Sequence, residues 1–196
     1  NVINKCKNLR MISIAFTGFD HVATNVCKEK RIVVCNAEGY STNSVAELAF
    51  GFIISLFRHF LSCDEVTRTG GTRKGIIGNE LKGKTLGIIG TGTIGLRVAE
   101  IGKVFGCNLI GYSRSERKEA IDLGLKYVDL NTLLKTSDIV TIHTSLNKDT
   151  KDILNKNEFE LMKPSAILIQ TSRGGTVNEQ ALAEALNSGT IAGAGI

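Results

Sequence analysis

The sequence lacks the patterns that mark secreted, membrane-bound or metal-binding proteins. Its five cysteines are scattered and form no Cys-x-x-Cys pair, which argues against a disulfide framework and against a zinc site. No secretory signal is recognisable. We therefore expect a cytoplasmic protein with reduced thiols and without a metal ion.

Long apolar runs and blocks of one charge are also missing. The longest apolar stretch, 49–61, is interrupted by Gly51, Ser55, Arg58 and His59, so it predicts a buried helix rather than a membrane span. The net charge of +5 is spread along the chain, with few aromatic residues between the basic ones. An ordinary solvated surface is therefore favoured over a nucleic-acid interface.

The first part of the chain predicts a strand, a helix and a strand, at 11–15, 20–28 and 32–35. Ser44 and Glu47 have the spacing of a capping box, ahead of an apolar helix that is predicted to end near Arg68. The polar, glycine-containing segment 69–79 predicts a loop. We place the main domain boundary in this loop.

Beyond Lys82, short β-rich segments alternate with helical ones. Strands are predicted at 85–90, 108–112, 138–143, 166–170 and 191–195, and helices at 94–104, 115–123, 130–135, 157–162 and 178–187. This alternation is typical of a parallel sheet covered by helices on both faces. The predicted fold class is α/β, a doubly wound parallel sheet of the Rossmann type.

A glycine motif follows the first of these later strands. Gly90, Gly92 and Gly95 form G-x-G-x-x-G at the point where a strand gives way to a helix, the context that a dinucleotide-binding motif requires. Free N–H groups at the helix start, where Thr93 and Ile94 lie, are then expected to bind phosphate. The alternative is a glycine-rich turn without a ligand.

The end of the next strand carries information about the cofactor. The position eighteen residues after Gly95, which usually holds Asp or Glu in NAD enzymes, is Ser113 here, and Arg114 follows it. A carboxylate would repel a 2′-phosphate, whereas a hydroxyl and a guanidinium would bind it. The pattern favours NADP(H). The alternative is that Ser113 still serves NAD(H) and that the basic residues only form a solvated helix start.

Three segments carry a family resemblance: LKGKTLGIIG at 81–90, IHTSL at 142–146 and QTSRGGTVNEQAL at 170–182. With them, the sequence resembles the D-isomer-specific 2-hydroxyacid dehydrogenases over nearly its whole length. In that family proline is usual where this chain has Ser145. The resemblance implies further cofactor contacts, at His143, Thr144, Ser145, Thr150, Thr171 and Ser172.

The resemblance also implies that Arg173 is the catalytic arginine. A 2-keto acid presents a carboxylate beside a carbonyl, and a guanidinium can reach both groups with parallel N–H donors. It would thereby orient the substrate and polarise the carbonyl for hydride transfer. The alternative is that Arg173 merely caps the end of a strand.

Upstream, the segment 15–22 resembles the family's substrate-domain loop, whose N–H groups at Thr17 and Gly18 hold the substrate carboxylate. The resemblance divides the chain into a fragment of a flavodoxin-like substrate domain (1–43), an interdomain helix and loop (44–78) and the dinucleotide-binding domain (79–196). In relatives the long helix lies at a dimer interface, so a homodimer is expected.

The family's acid–base histidine and the glutamate that orients it are not matched in this sequence. His21, His59 and His143 do not stand at the catalytic position. Relatives also have a segment before the region of Asn1 and continue past Ile196. We therefore expect these 196 residues alone to show negligible turnover.

The sequence thus predicts an oxidoreductase that transfers a hydride between NAD or NADP and a small 2-keto or 2-hydroxy acid, such as glyoxylate, hydroxypyruvate or pyruvate. A second hypothesis is a non-enzymatic NAD(H)-binding sensor or partner-binding protein of the same fold. A third, another Rossmann enzyme such as an alanine dehydrogenase or a homocysteine hydrolase, is disfavoured because those enzymes lack the segment around Arg173.

Overall fold

The computed structural model describes residues 2–196 and divides them into two compact units. The first unit extends to Thr42 and the second runs from Asn43 to Ile196. The predicted boundary loop, 69–79, therefore falls inside the second unit. The assignment of 1–43, 44–78 and 79–196 to the parts of a larger enzyme stays a prediction.

The first unit is built around two parallel strands. Its elements are α1 (Val2–Lys5), β1 (Met11–Ile14), α2 (Thr24–Glu29) and β2 (Val33–Asn36). The predicted strand–helix–strand order is correct, but the helix begins at Thr24 rather than near residue 20, because the N–H of Val22 donates to the carbonyl of Phe19 in a turn. Ile14, Cys27 and Ile32 form its buried centre. Its identity as a flavodoxin-like fragment stays a prediction.

The segment predicted as one helix from Ser44 to Arg68 is two helices, α3 (Thr42–Phe57) and α4 (Phe60–Arg68). The single-helix prediction is wrong because His59 has φ 52, a left-handed conformation that an α-helix cannot continue. The capping prediction is also wrong: the helix already begins at Thr42, so Ser44 lies inside it.

Within residues 2–196, no single helix is long and apolar enough to cross a membrane. α3 and α4 together reach that length and composition, but they are bent by 59° at their break. The buried side chains of α3 pack into the core of the second unit; they are Ala46, Ala49, Phe50, Ile53 and Phe57.

A six-stranded parallel sheet organises the described part of the second unit. Its strands are β3 (Thr85–Ile89), β4 (Asn108–Tyr112), β5 (Lys126–Tyr127), β6 (Ile139–Ile142), β7 (Ile167–Gln170) and β8 (Gly193–Gly195). Their order is β5-β4-β3-β6-β7-β8, which is the 3-2-1-4-5-6 order of a Rossmann fold. The predicted fold class is confirmed. The sequence missed β5, which has two residues.

Helices cover both faces of this sheet. They are α5 (Thr93–Val104), α6 (Lys118–Asp122), α7 (Leu130–Thr136), α8 (Lys156–Leu161) and α9 (Glu179–Asn187). Ile88 packs in the core under α3, α5 and α6, whereas its neighbour Ile89 packs in the core under α7, α8 and α9. Each fully buried side chain of this size contributes roughly 1.5–3 kcal/mol. Two cores hold the sheet rigid between them.

The strand order reverses between β3 and β6, which are paired from Leu86 with Ile139 to Ile89 with Ile142. The chain leaves β3 toward one edge of the sheet and leaves β6 toward the other edge. A crevice therefore opens beyond the carboxyl ends of these two strands. Ligands of doubly wound proteins bind at this point. The residues that follow β3, β4, β6 and β7 are therefore the candidates for a ligand site.

Candidate cofactor and active site

The turn after β3 depends on close contacts made by two of its glycines. Gly90 has φ +91, and a Cβ there would lie 2.7 Å from Cγ2 of Thr144 and 2.9 Å from the carbonyl oxygen of His143. A Cβ on Gly95 would lie 2.0 Å from the carbonyl oxygen of Gly90. Both positions therefore exclude a side chain for reasons within the protein.

Gly92 is different, because a Cβ there would meet no atom within 4 Å. This residue immediately precedes α5 and provides no side-chain cap, and the first turn of the helix, which includes Thr93 and Ile94, holds no acidic residue. The first N–H groups of a helix have no partner within it, and that end carries partial positive charge. The space beside Gly92 is therefore suited to an anion.

The loop after β4 places Ser113 and Arg114 at the same edge of the sheet. Ser113 is half-buried and Arg114 is exposed. Arg117 and Lys118, also exposed, follow at the start of α6. The loop and the first residue of α6 thus present a hydroxyl and three cationic side chains, with the exposed Glu116 among them.

His143 and Thr144 follow β6 directly behind the glycine turn. The Nε2 atom of His143 lies 2.8 Å from the hydroxyl of Thr141, while its Nδ1 atom is buried without a hydrogen-bond partner among the described residues. Burial lowers the pKa of His143 from 6.5 to about 4. The imidazole is therefore neutral at neutral pH, and it has one unused polar atom.

The loop that continues from β6 is held by its own side chains. The Thr150 hydroxyl donates to the Ser145 carbonyl at 2.6 Å and accepts from the N–H of Asn147 at 2.8 Å. The Asn147 side chain in turn accepts from the N–H of Asp149 at 2.8 Å. These hydrogen bonds constrain a loop that in the family usually contains proline at the position of Ser145.

The loop after β7 carries Thr171, Ser172 and Arg173 and lines a cavity of about 330 Å³. The guanidinium of Arg173 is exposed, and its Nη1 donates to the carbonyl of Ser172 at 2.9 Å. Gly175 and Glu179 also line this cavity. Arg173 therefore stands at the carboxyl edge of the sheet, beside an open volume of small-molecule size.

Gln170 organises this loop, and the sequence prediction missed it. Its side-chain carbonyl accepts from the Ser172 N–H at 2.8 Å and from the Ser172 hydroxyl at 2.7 Å. Its amide donates to the Arg173 carbonyl at 2.7 Å and is hydrogen-bonded to the Thr176 hydroxyl. The one available signal was that glutamine stands where the family pattern has asparagine.

Thr17 and Gly18 lie in the first unit, in the loop after β1. The Thr17 hydroxyl donates to the Ala37 carbonyl at 3.3 Å, and the Asn36 side chain donates to the Thr17 carbonyl at 2.8 Å. Among residues 2–196, no hydrogen bond is recorded from the backbone N–H groups of Thr17 or Gly18. Their predicted role in holding a carboxylate stays a prediction.

The residues of the second unit fit a dinucleotide. Gly92 leaves room for a pyrophosphate beside a helix start, and the buried hydroxyls of Thr144 and Thr171 have no partner among the described residues. These orphaned groups follow neighbouring strands, β6 and β7, on the side of the crevice. No group of three or more His, Cys, Asp or Glu able to hold a metal ion occurs in the part of the chain that the structure describes.

Comparison with known families gives one match over most of the chain. Residues 50–196 match the sequence model of the D-isomer specific 2-hydroxyacid dehydrogenase, NAD binding domain. The match contains the glycine turn, the loop at Ser113 and the segment around Arg173. It therefore covers the whole sheet of the second unit.

Individual relatives extend the likeness to the complete chain. A glyoxylate reductase from Thermococcus litoralis is 39% identical over 204 residues, covering 100% of this chain and 62% of the relative. The D-lactate dehydrogenase from Aquifex aeolicus, solved with NAD and lactic acid, has a TM-score of 0.94 at 34% identity over 98% of this chain and 59% of its own.

A second solved structure, an acyclic imino acid reductase in complex with NADPH and D-Arg, has a TM-score of 0.91 at 36% identity, over 98% of this chain and 62% of its own. The chain thus spans about three fifths of the length of each of these relatives. The likeness therefore concerns a part of each relative rather than its whole.

Proposed function

Because the chain belongs to the D-isomer specific 2-hydroxyacid dehydrogenase family, we propose that it is the cofactor-binding part of an enzyme that reduces a small 2-keto acid. The observation that carries this proposal is the position of Arg173. It follows β7 at the carboxyl edge of the sheet and lines an open cavity. β7 is the neighbour of β6, and the crevice lies between β6 and β3.

The chemistry follows from the groups of this chain. Arg173 would bind the substrate carboxylate through two parallel N–H donors and would polarise the neighbouring carbonyl. The Gln170 hydrogen bonds fix the backbone from which Arg173 projects. The nicotinamide supplies the hydride when the cofactor is bound.

Other residues of the second unit would bind the rest of the cofactor. The helix start at Gly92, Thr93 and Ile94 would hold the pyrophosphate. The hydroxyls of Thr144 and Thr171, which have no hydrogen-bond partner within residues 2–196, would donate to the cofactor between the crevice and Arg173. The segments at His143, Ser145, Thr150 and Ser172 would complete the contact.

We favour NADP(H) over NAD(H) as the cofactor. The support is the exposed Arg114 beside Ser113, where a carboxylate would otherwise select the free ribose hydroxyl. Titration of the 196-residue chain with NADH and with NADPH, followed by the fluorescence of the reduced nicotinamide, tests this choice. A lower Kd for NADH would refute the preference, and the absence of binding to either cofactor would refute the proposed function.

The activity is tested on the complete gene product. Oxidation of NADPH and NADH is followed at 340 nm with glyoxylate, hydroxypyruvate and pyruvate in turn. The variant Arg173→Lys keeps the charge but loses the paired donors, and we expect kcat/KM to fall by about 100-fold, on the scale of removing a donor to a developing oxyanion. An unchanged kcat/KM would remove Arg173 from the mechanism.

We expect the 196 residues alone to bind cofactor without measurable turnover, since none of the three histidines matches the position of the proton donor. A 2-keto acid reductase rate from this chain alone would contradict that expectation. Cofactor binding by a complete gene product that reduces no 2-keto acid would instead favour the second hypothesis, a non-enzymatic NAD(H) sensor.

The remaining proposals concern the substrate loop, assembly and location. The N–H groups of Thr17 and Gly18 would hold the substrate carboxylate. A homodimer would use the helix pair α3–α4, where Phe60 and Leu61 are 56% and 80% exposed. Light scattering of the complete gene product and of its Leu61→Glu variant tests this interface, and cell fractionation tests the cytoplasmic location that the free thiols favour.

A further inference from the structure

The hydroxyl of Tyr127 joins two loops that are far apart in the sequence. It lies 2.7 Å from the Thr91 hydroxyl and accepts a hydrogen bond from the N–H of Arg117 at 3.0 Å. Thr91 stands between Gly90 and Gly92, and Arg117 ends the loop that carries Ser113 and Arg114. One phenol therefore links the glycine turn to the neighbouring loop.

Burial strengthens one half of this link, the contact between Tyr127 and Thr91. Thr91 is 1% exposed and Tyr127 is half-buried at the end of β5. Water competes weakly for hydrogen bonds in such a place, and a bond in a low local dielectric is stronger than one at the surface. The contact with Thr91 is therefore shielded from water, whereas the hydrogen bond from the Arg117 N–H lies at the surface.

The loop between β4 and α6 has few other restraints. At its start, the N–H of Gly90 donates to the Tyr112 carbonyl at 2.8 Å. For residues 113–116, no hydrogen bond is recorded within the part of the chain that the structure describes. The far end of the segment is fixed at Arg117, and Tyr127 provides the hydrogen bond there.

We infer that Tyr127 is a positioning residue for the adenosine end of the cofactor. Tyr127 acts through the backbone of the 113–117 loop and through Thr91. It would thereby hold the glycine turn, which binds the pyrophosphate, at a constant distance from the loop that faces the ribose. This inference rests on the proposed function, because it requires a nicotinamide dinucleotide on the glycine turn. Its consequence is that Tyr127 sharpens the discrimination between NADPH and NADH.

The test uses the 196-residue chain and three variants: Tyr127→Phe, Thr91→Val and the double variant. Kd values for NADPH and NADH are measured by fluorescence titration, with the melting temperature of each protein. Tyr127→Phe removes both hydrogen bonds, and we expect the Kd for NADPH to rise about 5- to 10-fold, which corresponds to one or two hydrogen bonds. The Kd for NADH should rise less than about threefold, since it lacks the 2′-phosphate that Arg114 would bind.

Thr91→Val removes one of the two hydrogen bonds, so its effect on the Kd for NADPH should be smaller. In the Tyr127→Phe background Thr91→Val should add almost nothing, because the partner hydroxyl is already gone. Tyr40→Phe is the matched control: Tyr40 is 61% exposed and lies in the first unit, and its variant should bind both cofactors like the wild type.

Three outcomes overturn the inference. Unchanged Kd values in Tyr127→Phe would exclude it while leaving the proposed function intact. Equal rises in both Kd values together with a lower melting temperature would show a purely structural role. Wild-type protein that binds neither cofactor would remove the proposed function, and this inference would fall with it.

Discussion

The side-chain amide of Gln170 donates a hydrogen bond to the backbone carbonyl of Arg173 at 2.7 Å. The other end of the same side chain accepts from the backbone and the hydroxyl of Ser172. One half-buried glutamine thus closes the loop that presents the guanidinium. The backbone that carries Arg173 is therefore held by a residue that lines the same cavity.

We predict that Gln170→Ala lowers kcat/KM for a 2-keto acid by about 10-fold in the complete gene product, which is the effect of losing about 1.4 kcal/mol of positioning. The Kd for the cofactor should rise less, by about threefold at most, because only the contacts near Ser172 are loosened while the glycine turn is unaffected. Steady-state kinetics and fluorescence titration separate the two effects.

The control for this experiment is Gln180→Ala. Gln180 is exposed on α9, and its side chain donates to the Glu184 carboxylate at 3.0 Å. It should behave like the wild type. If Gln170→Ala had wild-type kcat/KM, the loop would not need this side chain.

The sequence predicted the fold class, a doubly wound parallel sheet, because its signals are local. The glycine turn, the apolar strands and the segment around Arg173 each lie within a few residues, and parallel strands joined by helices admit few topologies. The predicted helix from Ser44 to Arg68 failed for a complementary reason. The break is set by the left-handed backbone of His59, which no pattern of apolar spacing reports.

The contacts that hold the site together were not readable from the sequence. Thr91 and Tyr127 are 36 positions apart and meet only because β5 lies beside β4. The same holds for Thr144, whose methyl group approaches Gly90 across the crevice. Sequence motifs predicted which residues would meet a cofactor, whereas their mutual positions required the folded sheet.

The two glycines at the start of α5 should separate folding from binding. Gly95→Ala places a Cβ 2.0 Å from the Gly90 carbonyl oxygen, and we expect it to lower the free energy of unfolding by about 2 to 3 kcal/mol. A Cβ at Gly92 would meet no atom of the described residues within 4 Å, so the unfolding free energy of Gly92→Ala should change by less than about 1 kcal/mol.

Cofactor affinity should show a different pattern. Gly92→Ala should raise the Kd for the reduced cofactor at least about 10-fold, because its methyl group would occupy the space beside the pyrophosphate. Urea denaturation and fluorescence titration of the two variants serve as mutual controls. Wild-type affinity in Gly92→Ala would place the phosphates elsewhere.

The choice of cofactor should respond to a single carboxylate. Ser113→Asp is expected to raise the Kd for NADPH at least about 10-fold and to leave the Kd for NADH unchanged or lower, because a carboxylate repels a 2′-phosphate and accepts bonds from a free ribose hydroxyl.

Ser115→Asp is the control for Ser113→Asp. Ser115 is exposed in the same loop, and its replacement by Asp adds the same charge. An equal effect of both variants on the Kd for NADPH would mean that net charge, rather than a contact at Ser113, sets the preference.

The buried imidazole of His143 predicts a pH dependence of stability. Burial lowers its pKa to about 4 in the folded chain, whereas an unfolded chain has a histidine pKa of about 6.5. Between these values the unfolded state binds a proton that the folded state does not bind. The contribution of His143 to the free energy of unfolding is therefore fully present above about pH 6.5. Up to about 3 kcal/mol of it is lost as the pH falls toward 4.

Urea denaturation at pH 7 and at pH 5 measures this difference. The histidine should contribute about 2 kcal/mol of the loss, and His143→Asn should reduce the loss by that amount, while His21→Asn, a change at an exposed site, should not. Asp138 does not interfere: burial alone would raise its pKa, but the Lys163 ammonium and the Thr85 N–H hold the net pKa below the ordinary value, so it titrates below this window. If His143→Asn kept the full loss between pH 7 and pH 5, the imidazole would already be accessible to protons in the folded chain, and its unused Nδ1 atom would face water rather than the cofactor crevice.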